Sequence, residues 1–582
     1  MSNTKLPTIS KIARINDKSA TKYYEVIEFP ISESETGTVE LPPSVVNDRS
    51  ALEKNLRDKG AVLPKDENGL KVLLDEVAKS DAPAEWVYEE RTGWTEDRKA
   101  FVLLDGVIGD TSTIIKGVKR SSDVADPSGR LSLSGTAKTW RETIGQWSRH
   151  STVLMTAISA PLGAPLLAIM GYPSFTINLV GKTRSGKTIA TLAAGSVIGL
   201  AREADLINWN ITDTRLEQRL AEFNDSVFPI DDLMTMRGTD SENYQRIRQL
   251  AYRIASGWSA ARDQSYTAAH EGAHRGWRSI ALTSSEKLVQ ELARKAKLER
   301  QGGESVRLID VPALSEGREH IFDQLPPDLD KNDVGAWKNA KFAEIAKACE
   351  ENHGLAWRMY IDALISKGPE LRKYVENRIA FFEKSACDDL DGSVARDVAR
   401  KFGLLYAGGM LGIAWGLLPW EKKELLHAIK ETFRRARDLL PDEGVSLRSG
   451  IKALRQRLHQ LPEKKLELDY DKEDGYRQQE PDVNRYIIKR EVYNAIFSSG
   501  EQADLVTRWL IDKRKMTLSA PKHSGGVVEP TPQAQFNWPD GERRRSVEIV
   551  WSLKRPRSAK KEKSKGNKKK QPNKSTPKKK NK

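Results

Sequence analysis

The chain has 582 residues, of which 30% are charged and 38% hydrophobic, and a formal net charge of +14. This length predicts about three or four domains, and the composition is typical of a soluble globular protein. Two cysteines, Cys349 and Cys387, cannot form a metal site or a disulfide framework, and the polar N-terminus carries no signal-peptide pattern, so we expect a cytoplasmic protein.

Residues 1–145 are predicted to form a mixed α/β domain. Strand character marks Tyr23–Phe29 and Phe101–Leu104, and helical spacing marks Leu52–Lys59 and Leu70–Ala78. The turn-like Arg91–Trp94 is interpreted as a packing and turn element. This domain is expected to recognise a partner or mediate assembly, and its sequence does not distinguish between the two.

An uncharged stretch, Val153–Gly171, is the one serious membrane candidate in the sequence. It contains Pro161, Pro165 and several glycines, which suit a pair of buried helices better than a spanning helix. We therefore expect no membrane partner.

The next segment has the pattern of a phosphate-binding loop. The apolar stretch Ser174–Val180 predicts a strand, and a small-residue helix is predicted to follow the loop. The residues predicted to bind nucleotide are Gly181, Lys182, Thr183, Arg184, Ser185, Gly186, Lys187 and Thr188. Backbone N–H groups of such a loop cradle phosphates, its lysine reaches the terminal phosphates, and its threonine hydroxyl holds Mg²⁺. An ordinary glycine-rich turn is the alternative, but it does not explain Lys187 and Thr188 together.

Short apolar stretches alternate with helical ones after this loop, which is typical of a parallel sheet. Predicted strands are Asp205–Asn210, Val227–Ile230, Ser279–Leu282 and Val306–Val311, and predicted helices are Thr214–Phe223 and Glu242–Ser256.

Two carboxylates, Asp231 and Asp232, follow the strand Val227–Ile230 directly. A magnesium-dependent NTPase needs one carboxylate for the metal and another to polarise the attacking water, so we assign Asp231 to Mg²⁺ and Asp232 to water activation. Most such enzymes have Glu in the second position, so the shorter aspartate puts the hydrolysis rate in question. The alternative is a solvated acidic turn.

Two further side chains complete the predicted catalytic set. Ser284, between Thr283 and Ser285, follows the strand expected beside the acidic one, where it could orient the water and sense the γ-phosphate. Arg307 starts the last predicted strand, where it could reach the nucleotide of a neighbouring subunit. A surface ion pair is the equally open alternative for Arg307.

These pieces resemble an AAA+ ATPase in their order. More closely, the chain resembles the uncharacterised ATPase-domain family of bacterial prophages, integrative elements and staphylococcal cassette-type elements, whose members are similar to self-loading replicative helicases of the minichromosome-maintenance type. The matching stretches are Arg91–Gly109, the phosphate-loop segment, the acidic strand end, Trp277–Glu286 and Val306–Ala313. The resemblance implies an AAA+ P-loop core at residues 146–319 and a homo-oligomer, in the form of a hexameric ring.

In helicases of that type, a hairpin before the polar strand enters the ring channel and follows the nucleic-acid backbone. The matching segment here, Ser265–Arg275, carries His270, His274 and Arg275 but no lysine. Basic residues in a glycine-containing turn suit phosphate contacts, but they also suit any solvated loop.

Residues 320–465 are predicted to be a helical lid or connector. Phe402–Trp420 is expected to be its most buried stretch, and Glu421–Leu440 an amphipathic helix. The glycines of the buried stretch (Gly403, Gly408, Gly409 and Gly412) indicate close helix packing.

Residues 470–553 are predicted to form a winged-helix-like DNA-binding unit, with helices at Tyr486–Phe497 and Asp504–Ile511 and strands at Thr517–Leu518 and Ser546–Leu553. The predicted DNA contacts are Lys513, Arg514, Lys515, Arg543, Arg544 and Arg545. A winged helix that binds protein is the alternative.

The charge of the chain lies in its last segment, residues 554–582. This segment contains 15 of the 95 basic residues and one of the 81 acidic residues. The other 553 residues therefore carry 80 basic and 80 acidic side chains. We expect a disordered polycation that binds phosphate backbones, with a solubilising tail as the alternative.

The sequence therefore predicts an ATP- and Mg²⁺-dependent DNA helicase or translocase that replicates a mobile element. The competing hypothesis is an ATP-switched initiator or loader without processive unwinding, and a third is an RNA-directed ATPase.

Overall fold

The computed structural model describes residues 9–17, 22–32, 35–89, 91–104, 106–110, 115–116, 131–236, 238–258, 276–465, 467–481, 483–519 and 532–552. It divides into two compact units, Met1–Val445 and Ser446–Lys582, which are described separately. Among the described residues, no helix is both long enough and apolar enough to cross a membrane. The finer division into five domains stays a prediction.

The first unit begins with a five-stranded sheet and three helices, which agrees with the predicted mixed α/β character. The strands are β1 (Ser10–Asp17), β2 (Lys22–Pro30), β3 (Thr36–Leu41), β4 (Glu85–Tyr88) and β8 (Ile115–Lys116). Their order is β3-β2-β1-β4-β8, with β4 parallel to β1 and to β8. The helices are α1 (Pro43–Val46), α2 (Arg49–Asp58) and α3 (Glu67–Lys79), and apolar residues of all three pack in one core with the sheet.

A small antiparallel sheet links this region to the rest of the unit. It consists of β5 (Gly93–Trp94), β6 (Ala100–Leu103) and β7 (Gly106–Gly109). The Thr92 hydroxyl donates to Ala221 O and Glu222 O at 3.1 and 3.0 Å. The Trp94 indole donates to Pro165 O at 2.9 Å. The Arg91–Trp94 motif is therefore a packing element, as predicted, but its last two residues form β5 rather than a turn.

Asp225 also connects the small antiparallel sheet to the rest of the unit. Its carboxylate accepts hydrogen bonds from the Trp94 N–H at 3.1 Å and from the Asn224 amide at 3.0 Å. Burial raises the pKa of Asp225 to about 6, although these donors and the nearby Arg91 and Arg278 guanidinium groups oppose the rise.

We expect Asp225 to make the stability of this unit depend on pH. The folded chain binds its proton more tightly than the unfolded chain, so the stabilisation is complete below about pH 4 and is lost as the pH rises through about 6. A pKa that is higher by about two in the folded chain corresponds to about 3 kcal/mol in the free energy of unfolding. Calorimetric unfolding at several pH values should show that Asp225→Asn removes this slope, and parallel curves for variant and wild type would contradict the assignment.

A four-stranded parallel sheet forms the centre of the first unit. Its strands are β9 (Phe175–Val180), β10 (Val227–Pro229), β11 (Ile280–Ser285) and β12 (Leu308–Pro312). The order is β10-β11-β9-β12, and all three pairings are parallel. This mixed α/β architecture with a parallel sheet was predicted. The polar strand β11 lies between the phosphate-loop strand β9 and the acidic strand β10.

Short and long helices precede and alternate with these strands along the chain. They are α4 (Ala137–Trp140), α5 (Thr152–Gly163), α6 (Leu166–Met170), α7 (Lys187–Ile198), α8 (Asp213–Glu222), α9 (Asp240–Ser256), α10 (Val289–Lys295) and α11 (Gly302–Ser305). Short π- or 3₁₀-helical turns lie at Arg141–Gly145, Ser148–His150, Glu203–Asp205 and Leu233–Thr235. The buried helix pair predicted for Val153–Gly171 is α5 and α6, and every residue of α5 is buried.

One predicted strand of this region is wrong. Instead of a strand over Asp205–Asn210, the structure has a single parallel bridge between Ile207 and Ile230. The Asn208 side chain accepts a hydrogen bond from the Asn210 N–H at 2.7 Å, and this local turn ends the extended conformation.

The remainder of the first unit is helical. Its helices are α12 (Val334–Glu351), α13 (Leu355–Lys367), α14 (Glu370–Ala386), α15 (Ser393–Ala414) and α16 (Lys422–Arg437). Helix α15 contains most of the predicted Phe402–Trp420 stretch and is buried from Lys401 to Gly412. The predicted amphipathic helix is α16.

The helix α17 (Glu443–Gln460) runs across the division between the units. The second unit also contains β13 (Gly475–Gln479), β14 (Val483–Lys489), α18 (Arg490–Ala495), α19 (Gly500–Asp512), β15 (Gln535–Asn537) and β16 (Arg543–Ser552). Its antiparallel sheet has the order β13-β14-β16-β15.

The sequence prediction for this unit is wrong in two places. The helix predicted over Tyr486–Phe497 starts only at Arg490, because Tyr486, Ile487 and Ile488 pair with both β13 and β16 in the sheet. The Thr517–Leu518 strand is reduced to isolated bridges at Met516 and Leu518.

Candidate functional site

The phosphate-loop residues lie where the sequence predicts, between β9 and α7. The Gly181 N–H donates to Ser285 O at 3.0 Å, which ties the start of the loop to the end of β11. Gly186 has a φ of +102°, and a Cβ at this position would lie 2.5 Å from the Phe342 ring. Only glycine satisfies both requirements, so the loop can enter α7 at this angle.

Lys187 is the first residue of α7 and is buried. Its ammonium group donates to Gly181 O at 2.8 Å and to Lys182 O at 2.9 Å, so it folds back over the loop. Burial lowers the pKa of Lys187, and the nearby carboxylates of Asp232 and Glu286 oppose this shift. The ammonium thus lies over the loop and is acted on by the charges of two carboxylates.

The middle of the loop is more exposed. Lys182 lies 3.7 Å from the Glu319 carboxylate, and Arg184 adopts a positive φ of +58°. The Ser185 side chain is fully buried, and its hydroxyl has no hydrogen-bond partner in the part of the chain that the structure describes. The Ser185 carbonyl accepts a hydrogen bond from the Ile321 N–H at 3.0 Å, which ties the loop to the segment that follows β12.

Thr188 and Asp231 fit the predicted magnesium site in their chemistry. Thr188 lies in the first turn of α7, and Asp231 follows β10 at the same edge of the parallel sheet. Mg²⁺ bound to a nucleotide needs only one or two protein oxygens besides the phosphates. Among the described residues, no group of three or more His, Cys, Asp or Glu side chains could hold a metal ion by itself.

Asp232 has a structural contact as well as a predicted catalytic one. Its carboxylate accepts from the Met234 N–H at 2.9 Å and caps the 3₁₀ turn Leu233–Thr235. Burial raises the pKa of Asp232, against the effect of the Met234 N–H and the Lys187 ammonium. One oxygen of the Asp232 carboxylate is therefore engaged by the backbone.

The three hydroxyl residues at the end of β11 have different surroundings. Thr283 donates to Asp231 O at 2.6 Å and accepts from the Trp209 indole at 2.9 Å. Ser285 donates to Lys287 O at 2.8 Å. Ser284 is 2% exposed and is level with Leu179 of β9, so it lies beside the loop strand. Its sensor role stays a prediction.

A buried polar network that the sequence interpretation missed joins three strands. The Asn178 amide on β9 donates to Ser285 Oγ at 2.9 Å and to Asp310 Oδ1 at 2.8 Å. Asp310 on β12 is also paired with Arg300 at 2.7 Å. The available signal was an amide and a carboxylate in otherwise apolar strands.

Glu286 was missed as well. It follows β11 directly and is exposed, and the Thr183 hydroxyl of the phosphate loop donates to its carboxylate. Glu286 also contributes to the electrostatic environment of both Lys187 and Asp232. A carboxylate directly after the polar run was the sequence signal.

The structure does not bring Arg307 to the phosphate loop of its own chain. Arg307 O accepts from the Thr176 N–H at 2.8 Å, at the start of β9, whereas the loop follows the other end of that strand about 15 Å away. Its guanidinium lies 4.5 Å from the centre of the Tyr252 ring and donates to Gly303 O at 2.6 Å. A role across a subunit interface stays a prediction.

The base of the predicted channel hairpin is described, but its tip is not. Trp258 and Gly276 form an antiparallel bridge, and the Trp277 N–H donates to Gly257 O at 2.8 Å. The predicted DNA contacts His270, His274 and Arg275 lie outside the described residues, as does the basic tail, residues 554–582.

In the second unit, α18 and α19 form two consecutive helices joined by a short turn. Lys513 and Arg514, just after α19, are exposed. Lys515 is half-buried, and its ammonium lies 4.5 Å from the centre of the Trp551 ring, so it is held against the sheet.

The three predicted wing arginines are part of β16 rather than of a loop before it. Arg543 and Arg545 are exposed. Arg544 points to the other face, where it pairs with Asp540 at 2.8 Å and Asp471 at 2.5 Å. The pKa of Arg544 is raised by these two carboxylates. The alternation of side chains along a strand explains why the middle arginine differs.

We expect this difference to appear in DNA binding. The double variant Arg543→Ala/Arg545→Ala should weaken duplex binding and reduce the slope of log K against log salt by about 1 to 2, since each phosphate contact contributes about 0.9. Arg544→Ala, the matched control, should leave the salt slope unchanged. Fluorescence anisotropy over a salt series measures both, and equal slopes for the double variant and wild type would contradict the assignment.

One of the comparisons with known proteins bears on this fold. A family model described as a domain of unknown function (DUF927) matches residues 8–273. No curated protein matches the chain. A solved structure described as "SCCmec type IV Cch - active helicase" has a TM-score of 0.51 at 15% identity, over 90% of this chain and 92% of that chain. Another, "The A form apo structure of NrS-1 C terminal region-CTR", has a TM-score of 0.22 at 7% identity, over 69% and 87%. The chain is thus similar to the DUF927 model over residues 8–273 and to the Cch helicase structure in its fold.

Proposed function

We propose that this protein is an ATP-hydrolysing DNA helicase or translocase that acts in the replication of a mobile genetic element. The observation that carries the proposal is the arrangement of Lys187, whose ammonium folds back over the loop between β9 and α7 and is acted on by the charge of the Asp232 carboxylate. A lysine, a loop of backbone N–H groups and a nearby carboxylate suit the hydrolysis of a nucleoside triphosphate. The fold similarity to a structure described as an active helicase supports the choice of activity.

In this proposal each residue has one task. The loop backbone cradles the phosphates, and Lys187 moves from the loop carbonyls to the terminal phosphates, which offer it stronger, charge-assisted hydrogen bonds. Thr188 and Asp231 would hold Mg²⁺, which neutralises charge on the phosphates when it is bound. Ser284 senses the γ-phosphate from β11.

Arg307 acts in a second copy of the chain. Because it lies at the opposite edge of the sheet from its own loop, its guanidinium can reach a γ-phosphate only across an interface. This requirement favours a closed ring, which we propose to be a hexamer, in which each subunit completes the site of its neighbour.

DNA is proposed to contact three segments. The hairpin that starts at Trp258 would contact the strand in the channel, the exposed Arg543 and Arg545 with Lys513 and Arg514 would contact a duplex, and the basic tail would bind phosphates without sequence preference. In this view the second unit is a winged helix, with α18 and α19 as its helix-turn-helix.

A second candidate function is an ATP-switched initiator or loader that does not unwind processively. The hydrogen bond from the Met234 N–H to Asp232 favours it, because a short carboxylate that caps a turn is poorly suited to activate water. In that case nucleotide binding, rather than turnover, would control DNA binding.

Strand displacement separates the two functions. A forked DNA duplex with a labelled strand is incubated with the protein, with and without ATP, beside the same fork made of RNA. The helicase proposal predicts ATP-dependent release of the labelled DNA strand. ATP-dependent changes in DNA affinity without release would support the switch, and release from the RNA fork alone would indicate an RNA-directed enzyme.

A further inference from the structure

Glu286 occupies a position that suggests a catalytic task. It is the first residue after β11, and the hydroxyl of Thr183, in the phosphate loop, donates a hydrogen bond to its carboxylate. The loop and the end of β11 are also joined through the hydrogen bond from Gly181 N–H to Ser285 O. Glu286 is therefore held beside the phosphate cradle by two neighbouring contacts.

The electrostatic surroundings of Lys187 agree with this position of Glu286. The two carboxylates that act on the Lys187 ammonium are those of Asp232 and Glu286, and Glu286 also acts on Asp232. Since the lysine of such a loop contacts the terminal phosphates, the hydrogen bond from Thr183 and the effect on Lys187 together favour a position for Glu286 near those phosphates.

The carboxylates of Asp232 and Glu286 differ in side-chain length and in how firmly they are held. Asp232 is the shorter side chain, and one of its oxygens accepts from the Met234 N–H as the cap of a turn. Glu286 is longer by one methylene group and exposed, and its described hydrogen bond comes from a side-chain hydroxyl that can rotate away. A longer carboxylate whose hydrogen bond can be released can follow a water molecule to the in-line position, whereas a carboxylate that caps a turn is fixed.

We propose that Glu286 is the carboxylate that polarises the attacking water, and that Asp232 is a positioning residue. This inference rests on the proposed ATPase function. In the step, the water oxygen forms a bond to the γ-phosphorus while its proton passes to the Glu286 carboxylate. The bond between the γ-phosphorus and the bridging oxygen breaks, its electron pair stays with ADP, and the proton leaves with inorganic phosphate or returns to solvent.

Glu286→Gln tests this role directly. The amide oxygen of Gln can still accept from Thr183, so the contact remains while the base is removed. We expect kcat for ATP hydrolysis to fall by at least about 100-fold, the usual contribution of a general base, with the dissociation constant for ATP within about threefold of wild type.

Three further variants separate catalysis from structure. Glu286→Asp should recover part of the rate, and Asp232→Asn should lose less than Glu286→Gln. Glu370→Gln, the matched control, alters an exposed carboxylate of α14 that pairs with Lys367 at 3.4 Å. It should hydrolyse ATP at the wild-type rate.

The outcomes distinguish this inference from the function on which it rests. If wild type hydrolyses ATP while Glu286→Gln stays within about threefold of it, or loses ATP binding, the Glu286 role is overturned and the ATPase proposal stands. A larger loss for Asp232→Asn than for Glu286→Gln also overturns it. If wild type itself does not hydrolyse ATP, both proposals fail.

Discussion

Lys187→Ala should abolish ATP hydrolysis while DNA binding by the second unit continues. The ammonium group is the positive charge that α7 places over the phosphate cradle, and its loss leaves the terminal phosphates without this charged donor. Removal of one donor aimed at developing charge costs about 100- to 1000-fold in rate, and we expect at least this loss. The measurement is phosphate release at saturating ATP.

DNA binding provides the second measurement on the same variant. The exposed Lys513, Arg514, Arg543 and Arg545 belong to the other compact unit, so their affinity for duplex DNA without nucleotide should stay within about threefold of wild type. Lys347→Ala, which removes an exposed lysine of α12, is the matched control and should change neither property. Hydrolysis retained by Lys187→Ala would refute the assignment of the nucleotide site.

Gly408→Ala should destabilise the first unit strongly. Gly408 lies in the buried part of α15, and a Cβ there would lie 2.5 Å from the carbonyl carbon of Leu162 and 2.6 Å from the Gly163 nitrogen in α5. These are backbone atoms, so the two helices would have to separate. We expect a loss of about 3 kcal/mol in the free energy of unfolding, at the upper end of overpacking effects.

A second glycine-to-alanine change isolates the cause. Gly335 lies exposed near the start of α12, and a Cβ there would have no neighbour within 4 Å among the described residues. Gly335→Ala should therefore be neutral or stabilise by up to about 1 kcal/mol through helix propensity. Denaturant unfolding followed by circular dichroism measures both variants, and similar midpoints for the two would show that α5 and α15 do not pack closely.

The parts of the site that are local in the chain were predictable. The phosphate loop, its strand and its helix are contiguous, so glycine spacing and apolar runs identify them together. The acidic strand end was found for the same reason. The close-packed glycines of α15 also follow from composition, because small residues in an apolar helix allow a neighbouring backbone to approach closely.

Contacts that depend on the arrangement of strands were not predictable. Glu286 meets Thr183 only because β11 pairs with β9, and Asn178 meets Asp310 only because β12 pairs on the other side. These are pairings between positions more than 100 residues apart. The sequence of one segment does not determine which strands lie next to each other in the sheet.

The errors in secondary structure have a related cause. Tyr486, Ile487 and Ile488 are compatible with a helix or a strand, and the partners on both sides of β14 decide the outcome. Arg544 forms ion pairs with Asp471 and Asp540, which lie on its face of the strand. Arg543 and Arg545 lie on the other face and are exposed. Spacing alone treats the three arginines as equivalent.

The proposed motor is tested most directly by ATP hydrolysis of the full chain under four conditions: alone, with single-stranded DNA, with duplex DNA and with RNA. We expect hydrolysis that depends on Mg²⁺ and Lys187 and that DNA stimulates severalfold more than RNA. Absence of hydrolysis under all four conditions, or hydrolysis that persists in Lys187→Ala, would contradict the proposed function.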